Sequence, residues 1–276
     1  MHSLKLPAAR LFATLLAAAA LALPGAATAQ STEFTPQVGQ DGKDVIWVPT
    51  PQALVEKMLD MAKLTAQDIH YDLGSGDGRT VITAAKRGAQ AFGVEYNPDM
   101  VALSERAAAK EGVSAKAKFI NGDIFQTDFS RATVVTLYLL PSLNVKLRPT
   151  ILKMKPGTRV VSHAFTMDEW TPDQTENVEG RTAYLWIVPA PVDGAWKMPG
   201  DELTFKQSFQ VITGTLKQGG KESTIKGQLS GDQITFTVLD ADGARHDFSG
   251  RVSGNTMQGV VKQPGGEAKW SATRAN

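Results

Sequence analysis

The chain of 276 residues contains no cysteine, which excludes disulfides, thiolate metal sites and cysteine nucleophiles. It has no surplus of either charge: 29 Lys and Arg stand against 28 Asp and Glu, for a formal net charge of +1. Nothing in that balance points to a nucleic-acid groove or a polyacidic partner, and neither is expected. Histidine is scarce, with four in all. Asp123 and Asp128 bracket a turn, but no cluster of ligand spacing accompanies them, so no metal site is expected. Long apolar runs are missing too, with one exception at the N-terminus.

That exception is Leu11 to Leu23, an apolar run of thirteen residues. Lys5 and Arg10 precede it, and Pro24-Gly25 and the small-residue site Ala27-Thr28-Ala29 follow. This is the order of a secretory signal peptide over residues 1–29, cleaved after Ala29. The run falls short of the roughly 20 residues a spanning helix needs. No arginine pair precedes it, which favours a Sec-type route. The expectation is an exported, periplasmic protein that starts near Gln30 and has no membrane segment once processed.

Residues 30–47 are polar and contain glycine, and read as a loosely held arm. Helical spacing of Leu54, Met58 and Met61 follows, with Thr50 as the expected N-cap and Pro51 at the first helical position. From Asp68 onward, short β-branched runs alternate with helical ones closed by Gly88 and Gly112. That alternation predicts βαβ units and a parallel sheet covered on both faces, over residues 48–196. A later run, "TAYLWIVPA", reads as an antiparallel edge strand. After a boundary near Gly200 the texture changes to alternating apolar residues with frequent glycine. Residues 200–276 are expected to form a small antiparallel meander or half-barrel, with turns at Gly231-Asp232, Asp242-Gly243 and Gly254-Asn255. A weak repeat, G-x-[LV]-S-G-[DN]-x-[IM], begins at Gly227 and again at Gly250.

The chemistry is concentrated in "DLGSGDG", Asp72 to Gly78, where the first strand passes into a helix. Glycines at such a turn allow closed-off dihedrals and let a ligand touch the backbone. The third glycine of a dinucleotide fingerprint is absent, because Arg79 holds its place, and the Lys of a P-loop is absent too. Glu95 ends the second strand, where a carboxylate can accept both hydroxyls of a ribose. Asp123, in "NGDIF" after the third strand, can accept from an adenine amino group.

These pieces in this order resemble a class I S-adenosylmethionine-dependent methyltransferase. Over residues 45–190 the chain resembles the seven-strand protein lysine methyltransferases, nearest to the mitochondrial enzymes that modify the ATP synthase c subunit and the adenine nucleotide translocase. "PTPQALVEKMLDMAKL", "GDIF" and "FTMDEWTPDQ" carry that closer likeness. The resemblance implies a Rossmann-like, doubly wound, mostly parallel sheet of seven strands. It implies cofactor contacts at Asp72, Gly74, Ser75, Gly76, Asp77, Glu95, Asp123 and Ile124, with Thr50 near the cofactor's amino-acid end. The Trp170-Thr171-Pro172-Asp173 run matches a late loop of the family, with no role implied.

A methyl acceptor should sit after the fourth strand, in "TLYLLPSLN". Tyr138, Leu139 and Pro141 are expected to form its slot, with the carbonyls of Leu139 or Leu140 accepting from a target amine. His163 reads as a hydrogen-bonded residue at a strand end rather than a base. The signal peptide, the β-rich tail and the wording of "TLYLLPSLN" depart from the family pattern and leave the acceptor open. It can be a protein lysine, a small molecule or a lipid. An exported nucleoside-binding or interaction protein that retains the fold is the other reading.

Overall fold

The computed structural model describes residues 1–3, 34–240 and 243–275. The expected signal segment lies outside the described residues from position 4 onward.

Helix α1 (Gln52–Met61) precedes β1 (Ile69–Leu73), α2 (Arg79–Lys86), β2 (Gln90–Glu95), α3 (Pro98–Lys110) and β3 (Ala117–Asn121). Then come β4 (Val134–Leu137), α4 (Pro141–Ile151), β5 (Arg159–His163), β6 (Gln174–Val178) and β7 (Arg181–Ile187). The seven strands run in the order β3-β2-β1-β4-β5-β7-β6. β1 to β5 are parallel, and β7 and β6 close the edge antiparallel. The chain winds outward from β1 to β3 and then returns to β4 beside β1. The crevice at that reversal, above the carboxyl ends of the strands, is where such sheets bind ligands. β1 and β4 are buried along nearly their whole length, as parallel strands covered on both faces must be.

Two local expectations change. Pro51, not Thr50, takes the cap position of α1, and the helix begins at Gln52. The Thr50 hydroxyl turns instead to His163 Nδ1, 3.1 Å away. The arm is also not loose over its described part. Trp47 bonds back across a turn, with Gly39 N donating to Trp47 O at 2.8 Å and Trp47 N to Gln40 O at 2.9 Å. Lys43 then reaches Asp123, 80 residues away in sequence, at 2.5 Å.

Downstream, β8 (Gly194–Met198), β9 (Asp201–Ser208), β10 (Val211–Gln218) and β11 (Lys221–Ser230) form antiparallel hairpins. β12 (Gln233–Leu239), β13 (Arg245–Ser253), β14 (Thr256–Gln263) and β15 (Gly266–Arg274) continue the pattern. The eight strands make a closed barrel rather than a half-barrel, because β8 pairs with both β9 and β15. Its first strand therefore lies upstream of the boundary placed near Gly200. Of the turn expected at Asp242-Gly243, Asp242 lies outside the described residues. Trp196, Phe205, Phe236, Phe248 and Trp270 pack in the interior, with ring centroids of Phe236 and Phe248 4.5 Å apart. The repeat glycines have a packing cause. A β-carbon on Gly227 would come within 2.2 Å of Thr235 O, and one on Gly250 within 2.5 Å of Gln258 O.

The barrel docks where β5 begins, away from the carboxyl ends of the sheet. Ala190 N donates to Gly231 O at 2.8 Å, and Phe209 stacks on the buried Trp170 with centroids 5.8 Å apart. Gln210 Nε2 donates to Thr171 O at 2.8 Å.

A second anchor ties α1 to the sheet. Asp68 accepts from Thr65 N at 2.7 Å and Thr133 Oγ1 at 2.7 Å, and pairs with Arg159, which also donates to Ala62 O at 2.8 Å. Burial pushes the Asp68 pKa up, but the hydrogen bonds from Thr133 and Thr65 N and the Arg159 charge outweigh it and hold it below the usual value. A depressed carboxyl pKa contributes stability above its unfolded value, and that contribution disappears as pH falls through the folded value. Asp68→Asn should cost about 3 kcal/mol at neutral pH, as expected for one broken partner of a buried pair. Denaturant melts should show the gap from wild type closing below about pH 4, where free Asp protonates; a gap that persists in acid would refute this role.

Candidate active site

Gly74, Gly76 and Gly78 have φ of +80°, +55° and +78°, so alternate positions of the loop are left-handed. This is the physical content of D-x-G-x-G-x-G: a side chain at any of the three would be strained. The loop curls over β2. Gly74 N and Ser75 N both donate to Val94 O, at 2.8 and 3.0 Å, and Gly76 N donates to Glu95 Oε2 at 2.9 Å. A β-carbon on Gly78 would meet Ser104 and Phe119 at 2.8 Å, so the third glycine admits the packing of α3 and β3. A β-carbon on Gly76 would lie 2.7 Å from Trp47 Nε1, because the arm's tryptophan rests on the loop.

Above the loop lies a cavity of about 510 Å³. Thr50, Asp72, Gly74, Ser75, Gly76, Asp77, Glu95, Asp123, Ile124, Tyr138 and Leu139 all line it. Pro141 does not: it is exposed and occupies the first turn of α4, where its fixed φ suits a helix start. The Leu140 carbonyl is likewise committed to α4, accepting from Leu143 N at 3.0 Å and Asn144 N at 3.1 Å. Of the two carbonyls expected to face an acceptor, that leaves Leu139.

Lys43, Trp47, Arg79, Tyr96 and Phe165 are among the lining residues that sequence reasoning missed. Arg79 had a signal, since it stands directly after the glycine loop. Its guanidinium holds Asp77, with Nη2 2.5 Å from Oδ2, and donates through Nη1 to Thr50 O at 3.0 Å. One cation thereby fixes the loop carboxylate and the end of the arm. Lys43 also lies over the Tyr96 ring, 4.8 Å from its centroid. The hydrogen bond from Lys43, then the Phe125 N–H, holds the Asp123 pKa below its usual value.

Four carboxylates at the ends of the strands face the cavity, Asp72, Asp77, Glu95 and Asp123, and Asp41 and Asp44 join them from the arm. Among the described residues, Asp72 has no cation partner. Burial pushes its pKa up to about 7, the Thr136 hydroxyl pulls it down, the charges of Asp77 and Glu95 raise it further, and the Thr80 hydroxyl lowers it. On the other side, Tyr138 lies against His163, ring centroids 3.8 Å apart, and stacks on Phe165 at 6.2 Å. Burial, then the charge of Arg181, pushes the His163 pKa down to about 4, so its ring is neutral at pH 7.

The residues fit an adenosyl sulfonium. The cradle has no side chain at three positions, and the acidic lining suits a cation. Comparison with known proteins agrees. A family profile described as the ANTKMT methyltransferase domain matches residues 72–174. A protein-lysine N-methyltransferase of Saccharolobus islandicus is 44% identical over 151 residues, covering 52% of this chain and 94% of the relative. The lysine N-methyltransferase of the ATP synthase c subunit from Rattus norvegicus is 35% identical over 141 residues, 50% of this chain and 65% of that enzyme. A crystal structure described as an RNA methyltransferase from Salinibacter ruber in complex with S-adenosyl-L-homocysteine shares 49% identity. It covers 52% of this chain and 96% of that one, with a TM-score of 0.51. The chain belongs to the S-adenosylmethionine-dependent methyltransferases, in the family that includes the protein-lysine N-methyltransferases.

Proposed function

We propose that the protein methylates the ε-amino group of a lysine in a protein substrate. The observation that carries this reading is one cavity with two unlike halves, a glycine cradle with acidic lining and an aromatic slot beside it. The name of the 44% identical relative supports the choice of lysine. Glu95 would hold the ribose, Asp123 and Ile124 the adenine, and Asp72, Asp77 and Thr50 the amino-acid end. When bound, the cofactor supplies a methyl group activated by its own sulfonium. The chain's part is alignment and exclusion of water, effects that can supply up to ~7–11 kcal/mol in ideal cases.

Tyr138, Phe165, Leu139 and Leu143 make an apolar sleeve suited to an aliphatic stem. An amine drawn into it loses hydration, which favours the neutral, nucleophilic form. No side chain is placed as a general base. Burial holds the His163 pKa down to about 4, which makes it a weak base, and its Nδ1 is engaged by Thr50, so it braces Tyr138 rather than taking a proton. The slot opens beside Leu140, which is 43% exposed, and a proton can leave there to water.

A second reading, RNA as the acceptor, comes from the Salinibacter structure and the activity ascribed to it. The net charge of +1 argues against it, because RNA binding draws on phosphate neutralisation. Export through the N-terminal segment belongs to the proposal as well, on the order of Lys5, Arg10, the apolar run and Ala27-Thr28-Ala29.

Incubation of the purified protein with labelled cofactor and a protein extract, a lipid extract and RNA should put label on lysine in the protein fraction. Label confined to RNA or lipid would overturn the acceptor. Tyr138→Ala and Phe165→Ala should raise the acceptor KM by at least about tenfold, one 1.4 kcal/mol step, with cofactor affinity little changed. Gly76→Ala should do the reverse, weakening cofactor binding by a similar factor as its β-carbon strains the loop and displaces Trp47. Equal effects of both sets on both ligands would refute the division of the cavity. Cell fractionation with N-terminal sequencing should find a periplasmic protein that starts at Gln30; a cytoplasmic chain that retains the N-terminal segment would exclude export.

A further inference from the structure

Beneath the glycine loop, three buried side chains form a hydrogen-bonded row with a definite direction. His70 and Asp72 are two residues apart on β1 and so share a face of the sheet. Thr136 stands beside Asp72 on β4. His70 Nε2 is 2.8 Å from Thr136 Oγ1, which is 2.6 Å from Asp72 Oδ1. His70 and Thr136 are 0% exposed and Asp72 is 7% exposed, at the cavity wall.

The threonine hydroxyl has one proton to give. Given to Asp72, it leaves an oxygen lone pair to accept from His70 Nε2–H, and His70 Nδ1 is then a bare acceptor. With the row reversed, a protonated Asp72 donates to Thr136, Thr136 donates to His70, and the ring must carry its hydrogen on Nδ1. That atom is buried and has no hydrogen-bond partner among the described residues. An orphaned buried N–H is rarer than an under-used acceptor, and leaving a buried donor unsatisfied carries its full desolvation cost. The row therefore runs from His70 through Thr136 to Asp72 Oδ1, which acts as an acceptor, and a donor held on that oxygen favours the ionised carboxylate. Burial pushes the His70 pKa down to about 3, so the ring is a neutral donor throughout the neutral pH range.

We propose that His70 is a positioning residue for the cofactor: through Thr136 it orients the Asp72 carboxylate and keeps it ionised to receive the ammonium of the cofactor's amino-acid end. This rests on the reading of Asp72 as a cofactor contact. The support matters because of what surrounds Asp72. Asp77 on the loop and Glu95 at the end of β2 both oppose its charge, Arg79 on α2 is taken up by Asp77 and Thr50, and Thr80 on α2 adds only a hydroxyl. The other hydroxyl, from Thr136, keeps its direction only while His70 fills its lone pair.

The test is calorimetric titration of S-adenosylhomocysteine, which keeps the amino-acid end, into wild type, His70→Leu, His70→Gln, Thr136→Val and Asp72→Asn across neutral pH. Wild-type affinity should fall as pH drops through about 7, where Asp72 protonates. His70→Leu should weaken binding by roughly tenfold, a 1.4 kcal/mol step, and move that pH midpoint upward. His70→Gln keeps an N–H toward Thr136 and should restore most of both. Thr136→Val should reproduce His70→Leu, which keeps the test open if His70→Leu does not fold. Asp72→Asn should weaken binding and flatten the pH dependence. If Asp72→Asn weakens binding while His70→Leu and Thr136→Val leave affinity and midpoint unchanged, the positioning role is wrong and the cofactor reading stands. If Asp72→Asn binds like wild type, the cofactor reading of Asp72 itself fails.

Discussion

The site depends on a backbone that three left-handed residues make possible. Gly74, Gly76 and Gly78 each take a positive φ, and a residue with a β-carbon would cost roughly 1–2 kcal/mol at each. With them in place the amides of Gly74 and Ser75 converge on Val94 O and that of Gly76 on Glu95, so β1 and β2 are locked at their carboxyl ends. That lock fixes the separation between the loop and the carboxylate on the neighbouring strand. The packing of α3 against Gly78 and of Trp47 against Gly76 follows from the same missing side chains. Had any of the three turned right-handed, the helix start, the arm and the cavity floor would all move together.

Charge follows geometry. The four carboxylates at the strand ends enclose a small volume, and the structure answers each differently. Asp77 has Arg79, Asp123 has Lys43, and Glu95 accepts from the backbone N–H groups of Gly76 and Asn97. Asp72 has only hydroxyls. A cation entering the cavity gains most beside Asp72, because burial makes the unpartnered charge costly until something positive arrives. In the proposed reading, this asymmetry sets the cationic amino-acid moiety at one end of the cavity and an aliphatic stem at the aromatic end.

The sheet and the cradle are legible in the sequence because both rest on local rules. Strand–helix alternation, Gly88 and Gly112 as helix stops, and the spacing of Asp72, Glu95 and Asp123 each follow from residues close to one another in the chain. The arm reads as loose because its polar sequence carries no regular period, although a local turn closes Trp47 onto Gly39 and Gln40 and Lys43 reaches Asp123, 80 residues away. Thr50 fails as a cap for a related reason: a distant His163 offers its hydroxyl a buried partner. Pro141 reads as part of a slot because "LLP" is apolar, whereas its ring prefers the exposed first turn of a helix. The polar strand β6, "QTENV", is not separable from a loop, since an exposed edge strand needs no apolar alternation.

The barrel shows how an extra module joins such a core without entering its chemistry. Aromatic and aliphatic side chains pack inside it, as expected when eight strands close. The hollow it does carry, beside Asp240, His246 and Trp270, shares no lining residue with the cavity above the glycine loop. It attaches through Phe209 on Trp170, with the Arg148 guanidinium 5.3 Å from the Phe209 ring. Trp170 in turn accepts at its carbonyl from Trp186 Nε1 at 2.6 Å, which ties the docking point into β7. The Trp170-Thr171-Pro172-Asp173 loop, to which the family resemblance assigns no role, is therefore where the added barrel meets the sheet in this chain. The Saccharolobus relative aligns over 94% of its length with only 52% of this chain, leaving it little room for a comparable module. The contact lies where β5 begins, at the end of the sheet opposite the carboxyl ends of the strands, where the cradle and slot are built.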